Sequence, residues 1–98
     1  MTKNIIIREI EVSLHEASSF FNKMGYVEWE SEVQNALEKL KSEDYSFVES
    51  MWLRYAPTCA IDELIITNYK PEDEDKVNRH NEELAKISNR LFNQLENL

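Results

Sequence analysis

The chain has 98 residues, with 19 acidic side chains against 11 basic ones and a formal net charge of −8. That length suits one domain, and a single glycine with two prolines leaves too few tight turns for a many-stranded β fold. The acidic balance disfavours direct contact with nucleic acid or an anionic membrane and favours a basic partner.

An all-α fold is therefore expected: one helical domain over residues 1–98, of about four helices in a small bundle, with a short irregular or extended apolar segment near residues 58–67. Ile7, Ile10, Leu14, Ala17, Phe21 and Met24 recur at spacings of three and four, which predicts an amphipathic helix over residues 3–24. Gly25 follows directly and reads as its stop signal, because glycine takes the left-handed conformation that closes a helix.

Trp29, Val33, Ala36, Leu37 and Leu40 share one face of a second helix, expected from Val27 to Leu40. Glu28, Glu30 and Glu32 crowd its start, where acids interact favourably with the helix dipole. Glu28 and Glu32 are nevertheless like charges four apart, at a cost of a few tenths of a kcal/mol. Residues 25–50 carry seven acids against two bases, a net −5, whereas residues 1–24 sum to zero, 51–69 to −1 and 70–98 to −2.

Ser42 and Asp44 are both suited to cap the next helix, whose stripe is Phe47, Val48, Met51, Trp52 and Tyr55. Proline disfavours helix in the residue before it, so this helix should end near Tyr55, ahead of Pro57. Leu53 lies off the stripe and implies burial on more than one side. Thr58–Thr67 fits neither period cleanly and reads as a turn capped by Thr58 that becomes extended at Ile65–Thr67. Within Met51–Thr67, Met51, Trp52, Tyr55, Leu64 and Ile65 look like a hydrophobic plug. Pro71-Glu72-Asp73-Glu74-Asp75 suits a helix opening. Val77, Leu84, Ile87, Leu91, Leu95 and Leu98 then mark a long final helix, with His80 on its apolar phase.

One cysteine excludes an internal disulfide, which points to a reducing cytosol. Ile5–Ile7 is too short for a signal peptide core, and no run reaches the roughly 18–20 apolar residues of a membrane span.

Catalytic patterns are absent from the sequence. There is no glycine-rich phosphate loop, and His15-Glu16 lacks the second histidine of a zinc helix pair because position 19 is serine. Cys59, His15 and His80 are too few for a structural zinc site without carboxylates. A Cys59–His80 nucleophile pair has no flanking signature, and a lone cysteine is ordinarily a small buried hydrophobe. Glu72–Asp75 lacks the ligand spacing of a calcium loop. Adjacent Asp62 and Glu63 diverge by about 100° on a helix, a poor arrangement for a shared proton. Neither an enzyme nor a cofactor nor a bound metal is expected.

Recognition remains. An aromatic beside carboxylates can anchor an interface while the acids steer a cationic partner. On that pattern the partner-binding residues are Tyr26 and Trp29 as anchors, with Glu28, Glu30, Glu32, Glu38, Glu49, Asp62 and Glu63 as the charged contacts. The plain competing explanation is that the acidity simply keeps a small protein soluble.

In outline the chain resembles small acidic bacterial immunity-type proteins. The resemblance rests on the Asp62-Glu63-Leu64-Ile65-Ile66 element and on a closing leucine-rich helix, Lys76–Leu98. Where related sequences often have a glycine-rich turn before the aspartate, this chain has Ala56-Pro57-Thr58-Cys59-Ala60. The resemblance implies a cytoplasmic protein that neutralises a cognate toxin by stoichiometric binding, a nuclease being the natural candidate because nucleases carry basic clefts. Two alternatives belong to other classes. One is an acidic nucleic-acid mimic of the phage type, acting against restriction or CRISPR enzymes. The other is a helical assembly subunit in which Leu84–Leu98 pairs with a second copy, so a homodimer stays open.

Overall fold

Helix α1 runs over Thr2–Met24, and its ending follows from the backbone of Gly25 in a computed structural model that describes residues 2–56 and 59–98. Gly25 has φ +77°, and two reversed bonds close the helix behind it: Gly25 N–H to Asn22 C=O at 3.2 Å, and Tyr26 N–H to Phe21 C=O at 2.9 Å. This is the Schellman arrangement, completed by contact between the Tyr26 and Phe21 rings at 6.3 Å between centroids. The single glycine is thus the hinge of a tight helical hairpin, and α2 starts two residues later, spanning Val27–Lys41.

Helix α3 covers Val48–Tyr55, a 3-10 turn covers Ala60–Leu64, and a second 3-10 turn at Pro71–Asp73 leads into α4, Glu74–Glu96. Among the described residues the fold is a small all-α bundle of four α-helices, as the periodicity predicts. Side-chain pairs set the directions. Phe20 meets His80 while Glu16 meets Arg90, so α1 and α4 run antiparallel. Trp52 stacks on Phe92 while Tyr55 and Leu84 line a common cleft, so α3 is antiparallel to α4 as well. With α1 packed on both α2 and α4, the molecule is elongated, 48 × 21 × 19 Å.

Ile10, Leu14, Ala17 and Phe21 of α1, Val33 and Leu37 of α2, and Leu84 and Leu91 of α4 form the centre of the core. Around it runs a ring cluster: Phe21 lies 5.9 Å from Trp29, and Trp29 meets Tyr55 edge to face at 5.7 Å. Such pairs add about 0.5–1.5 kcal/mol each beyond their burial.

Several expectations change. The plug is carried by Ile61, which is buried, together with Met51 and Tyr55, whereas Ile65 is 42 % exposed. A five-residue 3-10 turn turns only one side inward, and Ile65 leaves it in extended geometry, φ −68° and ψ 127°. Leu53 is 51 % exposed, so α3 is buried along one stripe only. Asp44 Oδ1 accepts from the Ser46 N–H at 3.0 Å and so caps the turn ahead of α3, while Ser42 closes α2. Cys59 is exposed and not a core residue. The expected cap at Thr58 falls outside the described residues.

Candidate functional site

Helix α2 turns its residues about 100° apart, so the three glutamates at its start do not share a face. Taking the buried stripe Trp29, Val33, Ala36, Leu37, Leu40 as inward, Glu28 and Glu32 fall on one flank. Glu30 falls on the opposite flank, the side on which Gln34 donates to the Ser18 hydroxyl of α1 at 2.6 Å. Glu38 points outward from the back of the helix. Glu49 stands at the start of α3, away from this group.

The flank with Glu28 and Glu32 meets α3 and the 3-10 turn. Arg54 reaches over from α3: its Nη2 donates to Glu32 Oε2 at 2.8 Å, and its Nε lies 2.7 Å from Oε1. The same guanidinium sits 4.4 Å above the Trp29 ring. From the 3-10 turn, Glu63 Oε1 accepts the Trp29 indole N–H at 3.2 Å, and Asp62 stands beside it on the surface. Of the predicted carboxylates, Glu32 and Glu63 thereby meet one Arg–Trp stack from two elements, with Glu28 on the same flank of α2 as Glu32 by helical phase and Asp62 next to Glu63 on the 3-10 turn. Arg54 also relieves the like-charge contact expected between Glu28 and Glu32.

Trp29 itself is not the exposed anchor that the sequence pattern suggests. It is 4 % exposed, and its ring is spent on Phe21, Tyr55 and Arg54. Its phase on α2 with Val33 and Leu37 is the physical reason. Tyr26 is half-buried and likewise occupied, since its hydroxyl lies 2.7 Å from His80 Nε2 and burial raises its pKa. What the face offers a partner instead is a cleft of about 220 Å³ next to Asp62, with Ile61, Ile65, Leu84 and Asn81 among its walls.

The segment carrying Asp62 and Glu63 is pinned by α4. Asn81 Oδ1 accepts the Ile66 N–H at 3.0 Å, and Asn81 Nδ2 donates to the Ile66 carbonyl at 2.9 Å, a side-chain imitation of one rung of a β ladder. Because that Oδ1 is an acceptor, His80 Nδ1, 2.9 Å away, carries the proton. Nε2, across the ring, lies 2.7 Å from the Tyr26 hydroxyl. His80 is buried, as its phase predicts, and closes a chain of contacts running from the α1–α2 hairpin to the site segment. Arg54, Asn81 and the cleft are not readable from the sequence. Each depends on contacts between residues 15 to 22 positions apart or more, without any local pattern.

Tyr55 is fully buried, and desolvation, aided by the nearby Glu32 charge, holds its phenol far above the ordinary range. It is therefore a neutral core group. Among the described residues no three His, Cys, Asp or Glu side chains are grouped to hold a metal ion, and no helix is long and apolar enough to cross a membrane. Comparison with protein-family models, with curated proteins and with solved structures gives no significant match.

Proposed function

We propose that the chain works by stoichiometric binding of a basic protein, as an immunity-type inhibitor of a toxin that acts in the cytosol, with a nuclease the natural class. The observation that carries this reading is that Glu32 and Glu63 meet on Arg54 and Trp29, with Glu28 on the same flank of α2 and Asp62 on the wall of a neighbouring apolar cleft. Carboxylates steer a cationic surface to its site and a neighbouring pocket holds an anchor side chain, the two parts of a fast and durable complex. Glu32 and Glu63 are held in place by Arg54 and Trp29, so the face meets a partner already ordered. Among the described residues Glu28 and Asp62 make no such bond, which leaves them to pair with the partner's cations.

The test is protection of growing bacteria. The chain is co-expressed with the product of each gene adjacent to its own that proves toxic when expressed alone, and the association rate is measured on the purified pair. The double reversal Glu28→Lys with Asp62→Lys should abolish protection and slow association at least tenfold, whereas Glu30→Lys with Glu38→Lys, on other sides of α2, should do far less. Unchanged protection and binding by the Glu28/Asp62 variant would sink the proposal.

A further inference from the structure

A second concave surface lies at the other end of α3, where that helix starts against the last turn of α4. Tyr45, Val48, Trp52 and Leu95 wall an open groove of about 420 Å³, and Glu49 and Glu96 stand at its rim. Its chemistry is consistent on every side. The Trp52 indole is fixed by parallel stacking on Phe92, with 5.3 Å between centroids and 14° between planes. Leu95 forms a buried apolar floor. Neither Glu49 nor Glu96 has an ion-pair partner among the described residues, where the two salt bridges are Arg54–Glu32 and Arg90–Glu16. The last turn of α4 also carries no basic residue, which leaves the negative end of its dipole without a compensating charge. Glu49 stands in the first turn of α3.

We propose that this groove binds a lysine or arginine side chain of the basic partner, as a second contact separate from the Glu28–Asp62 face. A long aliphatic stem ending in a cation matches the surfaces on offer. The stem lies along Val48, Leu95 and the indole, while the charge is attracted by the two carboxylates and by the Trp52 ring. An apolar partner residue would leave the two rim carboxylates unpaired, and an anion would be repelled by them. The assignment rests on the reading of the partner as basic, and adds the place where a single cationic residue is captured.

The test needs no toxin. The labelled chain is titrated with tetralysine amide and followed by two-dimensional nitrogen–proton NMR at low salt. A matched peptide with every lysine acetylated serves as control. The Trp52 indole N–H and the Val48 and Leu95 amides should shift saturably with tetralysine and stay still with the control. The surface variant Glu49→Gln with Glu96→Gln should weaken that response about tenfold, the scale of two partly exposed charge contacts with their aromatic support. Shifts confined to the Glu28–Asp62 face with the groove silent would overturn the proposal, and so would an unchanged response of the double variant. A chain that binds tetralysine in the groove yet fails to protect against toxin would refute the immunity reading alone.

Discussion

Replacing Asn81 by alanine tests how the acidic face is built. Three hydrogen bonds meet at this side chain: one from the Ile66 N–H, one to the Ile66 carbonyl and one from His80 Nδ1. Net contributions run near 0.5–1.5 kcal/mol for each bond, and the buried His80 donor would lose its acceptor outright. Ile66 is only half-buried, so water can replace part of what its backbone loses. The expected cost of Asn81→Ala is therefore about 2–3 kcal/mol, a large fraction of the roughly 5–15 kcal/mol that holds a domain of this kind folded. Urea unfolding should show a lower midpoint at unchanged slope, and amide exchange at Ile66 should accelerate well beyond that of its neighbours in α4. Because Asp62 and Glu63 ride on the same segment, the variant should also weaken the Trp29–Glu63 contact, visible as a change in Trp29 fluorescence. A cost below about 0.5 kcal/mol, with Ile66 exchange unaltered, would show that the segment is held by apolar packing of Ile61 instead and would refute the reasoning.

Three further outcomes are expected. Gly25→Ala puts a Cβ at φ +77° with nothing within 4 Å, so only backbone strain opposes it. Allowing for the stiffer unfolded chain, the net loss should be about 1 kcal/mol, a fall of about 4–8 °C in melting temperature. Arg54→Ala should cost less than about 1 kcal/mol, since the pair with Glu32 is more than one-third exposed. It should, however, speed association with a basic partner at low salt by making the face more negative, and slower association would contradict the steering argument. Hydrogen bonds from the hydroxyl and the backbone N–H of Ser46 hold the Asp44 carboxyl below its ordinary range. A lowered folded pKa means that the stabilisation is complete above the unfolded value near 3.9 and is lost as pH falls through the lower folded value. An NMR titration of Asp44 should therefore give a midpoint below that of a free aspartate, and a midpoint at or above it would refute the cap.

Much of the fold was legible because helices advertise themselves through spacing. The stripe from Ile7 to Met24, the stop at Gly25 and the proline opening at Pro71 all stand where the pattern places them. The site was less legible. The sequence pattern offers Trp29 both as a member of the α2 inner stripe and as a surface anchor, and the structure buries it in the stripe. Helical phase decides burial regardless of the charges that flank a residue. The segment after Tyr55 resisted because a 3-10 turn of five residues is too short to show a period. The pairs that order it, Trp29–Glu63 and Asn81–Ile66, join positions 34 and 15 residues apart, where local sequence holds no information.

The three glutamates at the start of α2 also show why a cluster in sequence is not a cluster in space. Their alternation, Glu28, Glu30, Glu32, sends the middle one to the far side of a helix, and the third is half-neutralised by Arg54. The acidic face is made instead by joining one flank of α2 to the 3-10 turn. Helix α4 then acts as a divider. Asn81 and Phe92 face the α3 side, whereas Lys76, Arg79, Lys86 and Arg90 fall within about a quarter turn of one another on the other side, by the 100° step, where Arg90 meets Glu16 of α1. The net charge of −8 is therefore not a uniform coat. Four of the eleven bases thus lie away from the α3 side of α4, so under the proposed function an approaching cationic surface would be turned toward the side that carries Glu28, Asp62 and the cleft before contact. Orientation of this kind acts over about a Debye length, roughly 10 Å at 0.1 M salt. Its loss at high salt, with the dissociation rate left almost unchanged, is the signature that separates a steering face from acidity serving solubility alone.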